Sequence, residues 1–328
     1  MDIIKTNHLI KKFNGFTAVD DISFSLKKGE IFGFLGPNGA GKTTTIKMLT
    51  TLLFPTEGSA KISGFDVIKQ RDEVRKSIGV VFQEPALDTE LTGRENLDFH
   101  ARMYGMSKEK RIKRINDVLD LVDLVEKKDI LVKFYSGGMK RRLEIARGLM
   151  HYPLVLFLDE PTLGLDSQTR RAIWEYIKNM NKQEETTIFL TTHYMDEAEY
   201  LCDRVGIIDK GKILIIDTIQ NLKNSVGNDV ITLLCSDAHL FKQELEKESW
   251  INNSKLHNSY LTLGVEKGEE KIPKLFELAH SLNITIKSIN VRKPTLDDVF
   301  LYFTGRSIRD VDAESPLKQM ARFYSKRR

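Results

Sequence analysis

The sequence predicts an α/β chain in two parts, and three observations carry that prediction. Apolar runs of strand length alternate with helix-length amphipathic stretches through the first two-thirds of the 328 residues. One such run, Ile31-Phe32-Gly33-Phe34-Leu35, ends in Gly36-Pro37-Asn38-Gly39-Ala40-Gly41-Lys42-Thr43, which fits G-x-x-x-x-G-K-[ST] at every fixed position. Beyond a polar stretch from Asn221 to Asn228, a second series of short strands and helices follows in the order βαββαβ. The expected architecture is a phosphate-loop nucleotide domain over about 1–220 with a helical insert over about 84–152. A small α+β domain of ferredoxin-like order follows over about 227–303. Residues 304–328 lack an apolar period and are expected to form a flexible basic tail.

Taken in order, Ile3 to Glu30 reads as short strands and turns, with Lys27-Lys28-Gly29-Glu30 turning into the buried strand. Thr44 to Leu49 continues the phosphate loop as a helix, with Ile46 and Leu49 one turn apart. Gly58 to Gly64 reads as a short strand, and Ile78 to Phe82 as an apolar strand ending at Gln83-Glu84. Thr92 and Glu95 form a capping-box pattern that opens a helix toward Tyr104. Ile112, Ile115, Leu119 and Val122 share one helical face, and a further helix begins near Ser136. Strand character returns at Leu154–Leu158 and Thr187–Thr191, around a helix from about Ser167 to Met180. Val205–Ile208 and Ile213–Ile216 flank Asp209-Lys210-Gly211-Lys212 as a hairpin. In the second part the expected elements are a strand at Val230–Leu234, a helix at Ala238–Lys247 and two strands within Trp250–Val265. A helix at Ile272–Leu282 and a strand at Ile284–Val291 complete it.

Composition narrows the function classes. A hydrophobic content of 41% and a charged content of 29% describe an ordinary globular chain, and a net charge of +4 gives no basic stripe for wrapping nucleic acid. Two isolated cysteines, Cys202 and Cys235, allow neither a zinc spacing nor a disulfide framework. Met1-Asp2-Ile3-Ile4-Lys5 has no signal-peptide pattern, and no apolar run reaches membrane-span length.

The chemistry concentrates at strand ends. Glycines in the phosphate loop let backbone N–H groups turn onto phosphates, Lys42 supplies a compact charge for the β- and γ-phosphates, and the Thr43 hydroxyl suits Mg²⁺. The helix beginning at Thr44 aims its positive end at the same place. Leu154–Leu158 runs into Asp159-Glu160, placing one carboxylate toward the Mg²⁺ shell and the next toward an attacking water. His193 closes the strand from Thr187 and can reach a γ-phosphate, and Gln83 closes another strand. Phe13 has an aromatic face suited to stacking on adenine, and Phe16 is an alternative. Ser136-Gly137-Gly138 at a helix N-terminus is a second anion site, which suggests a nucleotide held by another copy of the chain.

Together these segments resemble the ATP-binding cassette (ABC) family of ATPases. The phosphate loop, Gln83, Tyr135-Ser136-Gly137-Gly138-Met139, Leu158-Asp159-Glu160, Gly164-Leu165-Asp166 and His193 occur in that family's order, over about Ile3 to Thr218. Tyr135 and Met139 depart from the common Leu and Gln. That variant, the ending Thr295-Leu296-Asp297-Asp298-Val299-Phe300 with Thr304-Gly305, and the small appended domain are similar to the daunorubicin-resistance-type exporter ATPases. The resemblance implies an ATPase that is the nucleotide-binding subunit of an exporter of drug-like or hydrophobic molecules. It would lie on the cytoplasmic face of the membrane against a separate ABC-2-type permease. It further implies ATP and Mg²⁺ as ligands, and a head-to-tail homodimer in which Ser136, Gly137 and Gly138 of one copy meet the ATP of the other and Asp166 crosses the interface. Catalytic roles fall to Glu160, His193 and Lys42, and the Mg²⁺ site to Thr43, Gln83 and Asp159. The loop from Gly36 to Thr44 holds the phosphates, Phe13 the adenine, and Gln83 with the helical insert reports nucleotide state to the permease.

Two other classes fit less well. Cassette ATPases that act on nucleic acid or ribosomes carry a coiled coil inside the cassette or two cassettes per chain, and neither is present here. A non-hydrolysing ATP sensor would be expected to lack Glu160 or His193, and both are present.

Overall fold

The computed structural model describes residues 2–257 and 259–305. By its contacts the chain divides into two compact units, 1–216 and 217–328.

The first unit begins with two strands, β1 (Asp2–Phe13) and β2 (Phe16–Lys27), where short strands and turns were expected. They form one long hairpin through Asn14-Gly15, both at positive φ, as two-residue hairpin turns require. Register shifts near Thr6 to Lys12 break the apolar alternation, so each strand reads in sequence as several short pieces. Next come β3 (Ile31–Leu35), α1 (Lys42–Leu49), β4 (Glu57–Ile62), β5 (Phe65–Asp66), α2 (Arg71–Ser77) and β6 (Ile78–Val81). Three helices fill the expected insert: α3 (Gly93–Met103), α4 (Lys108–Leu121) and α5 (Gly137–Leu149). The Thr92–Glu95 capping box forms, and Ser136 caps α5 by accepting from Met139 N. On α4 the predicted stripe buries Ile115, Leu119 and Val122, while Ile112 stays exposed. β7 (Val155–Asp159), α6 (Ser167–Glu184), β8 (Thr187–Thr192), α7 (Met195–Leu201), β9 (Arg204–Asp209) and β10 (Lys212–Thr218) follow.

Two sheets result. An antiparallel sheet has the order β2-β1-β4-β5, and a six-stranded sheet has the order β10-β9-β3-β8-β7-β6. Within the second, β9, β3, β8, β7 and β6 pair in parallel, in register at Phe32↔Phe189 and Leu158↔Leu190. Parallel strands buried on both faces must be apolar throughout, and every residue of β3 and β7 is buried. Phe24 from β2 stacks on Phe32 with centroids 5.8 Å apart, and Phe34, Phe157 and Phe189 complete the aromatic centre of the core. The expected hairpin turns at Lys210-Gly211, again both at positive φ. The site lies at the carboxyl ends of β3, β7 and β8, where an open parallel sheet presents its loops.

The second unit contains α8 (Ile219–Asn224), β11 (Asp229–Cys235), α9 (Ala238–Leu245), β12 (Ile251–His257), β13 (Tyr260–Val265), α10 (Gly268–Ser281), β14 (Ile286–Arg292) and α11 (Leu296–Thr304). Its sheet has the order β12-β13-β11-β14, with every neighbouring pair antiparallel. This is the ferredoxin-like arrangement of βαββαβ. Ile231, Leu233 and Cys235 of β11 meet Phe241, Leu245, Leu275 and Ala279 of α9 and α10 in a core of its own. The sequence reading missed α2, α7, α8 and α11. The expected tail falls on residues outside the described range, apart from Thr304 and Gly305. Among the described residues no helix is long and apolar enough to cross a membrane.

Candidate functional site

β3 delivers Gly36 to the loop, and α1 begins at Lys42. Gly41 sits at φ 105°, and a Cβ there would lie 2.5 Å from Ala18 O, so only glycine closes this turn. Lys42 is buried. Its Nζ donates to Gly36 O at 2.6 Å and Pro37 O at 3.2 Å, which curls the side chain back into its own loop.

Across from the loop, β7 ends at Asp159. Asp159 Oδ1 accepts from the hydroxyls of Thr43 at 3.2 Å and Thr191 at 2.5 Å. The next residue, Glu160, adopts φ 47°, an unusual conformation for a side chain of its size and worth about 1–3 kcal/mol of strain. Its backbone N–H is anchored to Thr191 O and Oγ1, both at 3.1 Å. That reversal turns the second carboxylate away from the first. Glu160 Oε1 lies 3.2 Å from Lys42 Nζ, and Oε2 accepts from His193 Nδ1 at 3.1 Å. Burial pushes the Glu160 carboxyl up. The His193 hydrogen bond and the Lys42 charge outweigh it and hold the group below its ordinary value of 4.5.

A hydroxyl and a carboxylate meeting at the mouth of an anion loop form the oxygen donor set that Mg²⁺ shares with phosphates. Thr43 and Asp159 therefore fit the ion. Thr44 follows in the first turn of α1, half-buried. Gln83 is exposed in a bend after β6. Asn38 and Gly39 are exposed at the loop tip, while Gly36, Pro37 and Ala40 are buried beneath it.

Ser136 and Gly137 are exposed at the start of α5. Gly138 packs against the start of α6, where a Cβ would lie 2.5 Å from Thr169 Cγ2. Asp166 caps α6, accepting from Gln168 N at 3.0 Å, Thr169 N at 2.9 Å and Thr169 Oγ1 at 2.6 Å. The Thr169 hydroxyl bond lowers the pKa of this fully exposed carboxyl. Phe13 and Phe16 pair across the turn end of the β1–β2 hairpin, either side of Asn14-Gly15, and both are exposed. Lys11 Nζ lies 5.0 Å from the Phe13 centroid.

Several residues of the site escaped the sequence reading. Thr191 orients both Asp159 and the Glu160 backbone, and its signal was a threonine near the end of a buried strand, two residues before His193. Glu197 is buried on α7, where Oε1 accepts from Thr162 Oγ1 at 2.7 Å and Trp174 Nε1 at 2.9 Å, bracing the segment that leads to Asp166. Burial pushes its carboxyl up. Tyr135, the departure from the usual Leu, is buried and donates its hydroxyl to Lys127 O at 2.7 Å. Its phenolic oxygen fills the space where Gly93 lacks a Cβ.

Fold and site together define a phosphate-loop ATPase. A family profile described as ABC transporter matches residues 19–163, and a second, described as ATP-binding protein DrrA1-3-like, C-terminal domain, matches 218–304. The chain is 39% identical over 312 residues to the linearmycin resistance ATP-binding protein LnrL of Bacillus subtilis, covering 94% of this chain and 100% of that one. It is 37% identical over 320 residues to the daunorubicin/doxorubicin resistance ATP-binding protein DrrA of Streptomyces peucetius, covering 96% of each. Among solved structures it is similar to cbiO1 from Clostridium perfringens (TM-score 0.63, 30% identity, 66% of this chain and 88% of that one). It is also similar to the dimeric post-hydrolysis state of the ATP-binding cassette MJ0796 bound to ADP and Pi (TM-score 0.60, 28% identity, 66% and 98%). The chain belongs to the ABC transporter family of ATP-binding proteins, and it is an ATPase.

Proposed function

We propose that this ATPase is the motor subunit of an exporter that expels drug-like or hydrophobic molecules through a separate ABC-2-type permease. The observation that carries the reading is one chain holding two complementary half-sites. Lys42, Thr43, Asp159, Glu160 and His193 converge at the carboxyl ends of the parallel strands, and Ser136-Gly137-Gly138 stands at the start of a helix, with Ser136 and Gly137 exposed. Two copies arranged head to tail would enclose ATP between them, as the dimeric form of MJ0796 supports. The resistance proteins similar along nearly the whole chain support the substrate class.

In this reading the loop from Gly36 to Thr44 cradles the phosphates, and Phe13 or Phe16 covers the adenine. Mg²⁺ held by Thr43 and Asp159, with Gln83 as the third proposed ligand, would neutralise phosphate charge. Glu160 orients a water and accepts its proton, and His193 holds Glu160 in position. The domain from about 227 to 303 regulates or supports the dimer, and the assembly lies peripherally on the cytoplasmic face of the membrane.

The reading is tested by expressing the chain with a candidate permease in drug-sensitive cells. Drug efflux that needs both proteins, and that ends with Glu160→Gln, is the expected result. Efflux unchanged by that substitution overturns it.

A further inference from the structure

The side chain that links the parts of the site lies outside every nucleotide motif. Arg141 is on α5, five residues after Ser136, and is buried. Its guanidinium donates to three backbone carbonyls from two separate segments of chain: Nε to Pro161 O at 2.7 Å, Nη2 to Asp159 O at 3.1 Å, and Nη1 to Phe82 O at 2.6 Å. Phe82 immediately precedes Gln83. Asp159 immediately precedes Glu160. Pro161 opens the stretch that runs to Asp166.

The same helix grips the Gln83 segment twice more. Glu144 Oε2 lies 3.1 Å from Arg141 Nη1, while Oε1 accepts from Ala86 N at 2.8 Å. Arg147 Nη1 donates to Ala86 O at 2.6 Å. The helix whose first turn is Ser136-Gly137-Gly138 is thus fastened to the chain on both sides of Gln83 and of Glu160.

A planar guanidinium suits this task because its donors point in fixed directions and can satisfy several carbonyls at once. An ammonium on a flexible stem carries the same charge without that geometry. Glu160 already sits at a strained φ, so its direction depends on how its neighbours hold the backbone.

We propose that Arg141 is a positioning residue for ATP hydrolysis. It keeps Gln83, Glu160 and Asp166 in register with the helix that begins at Ser136, so that contact of this helix with a nucleotide is passed to Glu160. The inference rests on the site roles proposed above.

The test is steady-state hydrolysis and ATP affinity of the full chain, for wild type, Glu160→Gln and Arg141→Lys. For Arg141→Lys, kcat is expected to fall by about 10- to 100-fold, the loss typical of a small misplacement. KM and the ATP Kd should stay within about twofold, because no phosphate-loop contact changes. Arg142→Lys, whose contacts are Val122 O, the carbonyl and carboxylate of Asp123 and the Tyr176 hydroxyl, is the matched control and should keep kcat within about threefold. If Arg141→Lys does not fold, Arg141→Met with Glu144→Leu replaces the buried pair by apolar groups, a change that often preserves folding, and should show the same split. An unchanged kcat, or parallel loss of kcat and ATP affinity, overturns the proposal. A wild type whose turnover is insensitive to Glu160→Gln overturns the parent reading of the site. Normal sensitivity there, beside an Arg141→Lys chain with full kcat, overturns this inference alone.

Discussion

Glu160 and Lys42 form a buried ion pair of 3.2 Å, although one follows the end of β7 and the other opens the helix after the phosphate loop. The pair is completed by His193 on the far oxygen of Glu160. A buried charge that loses its partner is costly, so each member holds the others in place. Lys42 also donates to Gly36 O and Pro37 O, which ties its side chain to its own loop. Lys42→Ala should therefore lose both the phosphate contact and the order of Glu160. Phosphate release in the presence of Mg²⁺ is expected to drop by at least about 100-fold, as for loss of a single charge-stabilising group. Turnover within tenfold of wild type would contradict the site.

Glu160→Gln keeps the shape of the side chain but cannot accept a proton. ATP binding should persist while hydrolysis falls by about 100- to 1,000-fold or more. If opening of the dimer follows hydrolysis, the variant should accumulate as a dimer with ATP on size-exclusion chromatography. A monomer with wild-type turnover would remove both roles at once.

The lowered pKa of Glu160 makes a pH prediction with a definite sign. In the folded chain the carboxylate keeps its charge below the ordinary value of 4.5. Its contribution to stability is fully present above that ordinary value and is lost as pH falls through the depressed one. The acid limb of kcat should likewise lie below the ordinary glutamate range. Comparing unfolding of wild type and Glu160→Gln from pH 7 downward should show their stability difference shrinking only in that acid window. A difference that shrinks between pH 6 and 7 instead would assign the titration to another group.

Much of this was legible because the buried parallel strands must be apolar along their whole length. Ile31–Leu35 and Val155–Leu158 therefore announced themselves and gave the positions of Lys42, Asp159 and Glu160, while Leu154, included in the expected strand, precedes it and is exposed. The ferredoxin-like order was legible for a related reason, since β11 and β13 alternate around a core formed by α9 and α10. Bulges in β1 and β2 hid two long strands by shifting the alternation. The short helices α2, α7 and α8 escaped because six or seven residues carry too little periodicity to stand out. Arg141 was illegible for a different reason. Apart from Glu144 one turn along α5, its partners are backbone carbonyls far away in sequence, and a carbonyl has no residue type to read.

Tyr135 and Gly93 should behave as a coupled pair. Tyr135→Phe removes one hydrogen bond to Lys127 O and should cost about 1 kcal/mol. Gly93→Ala gains helix propensity but drives a methyl against the phenol, for a net loss of about 1–3 kcal/mol. In a Tyr135→Leu background that methyl has room, so Gly93→Ala should then be close to neutral. Urea unfolding of the single and double variants gives the coupling energy. Strictly additive losses would show that the phenol and Gly93 do not compete for the same space.

The second unit should be separable from nucleotide binding. None of Lys42, Thr43, Asp159, Glu160 or His193 lies in it, and its core is formed by residues from Ile231 to Val291. The contact boundary falls at 216/217, and β10 runs on to Thr218, so a cut after Thr218 keeps that strand whole and removes α8 with the unit. We expect the shortened chain to fold and to bind ATP within about threefold of the full chain, since no site contact is lost. Drug efflux with the permease should fall, because the appended domain is proposed to support the dimer. Nucleotide titration and efflux are measured side by side. A folded chain that cannot bind ATP would place part of the site in the second unit. One that binds ATP and supports full efflux would leave that unit without the proposed role.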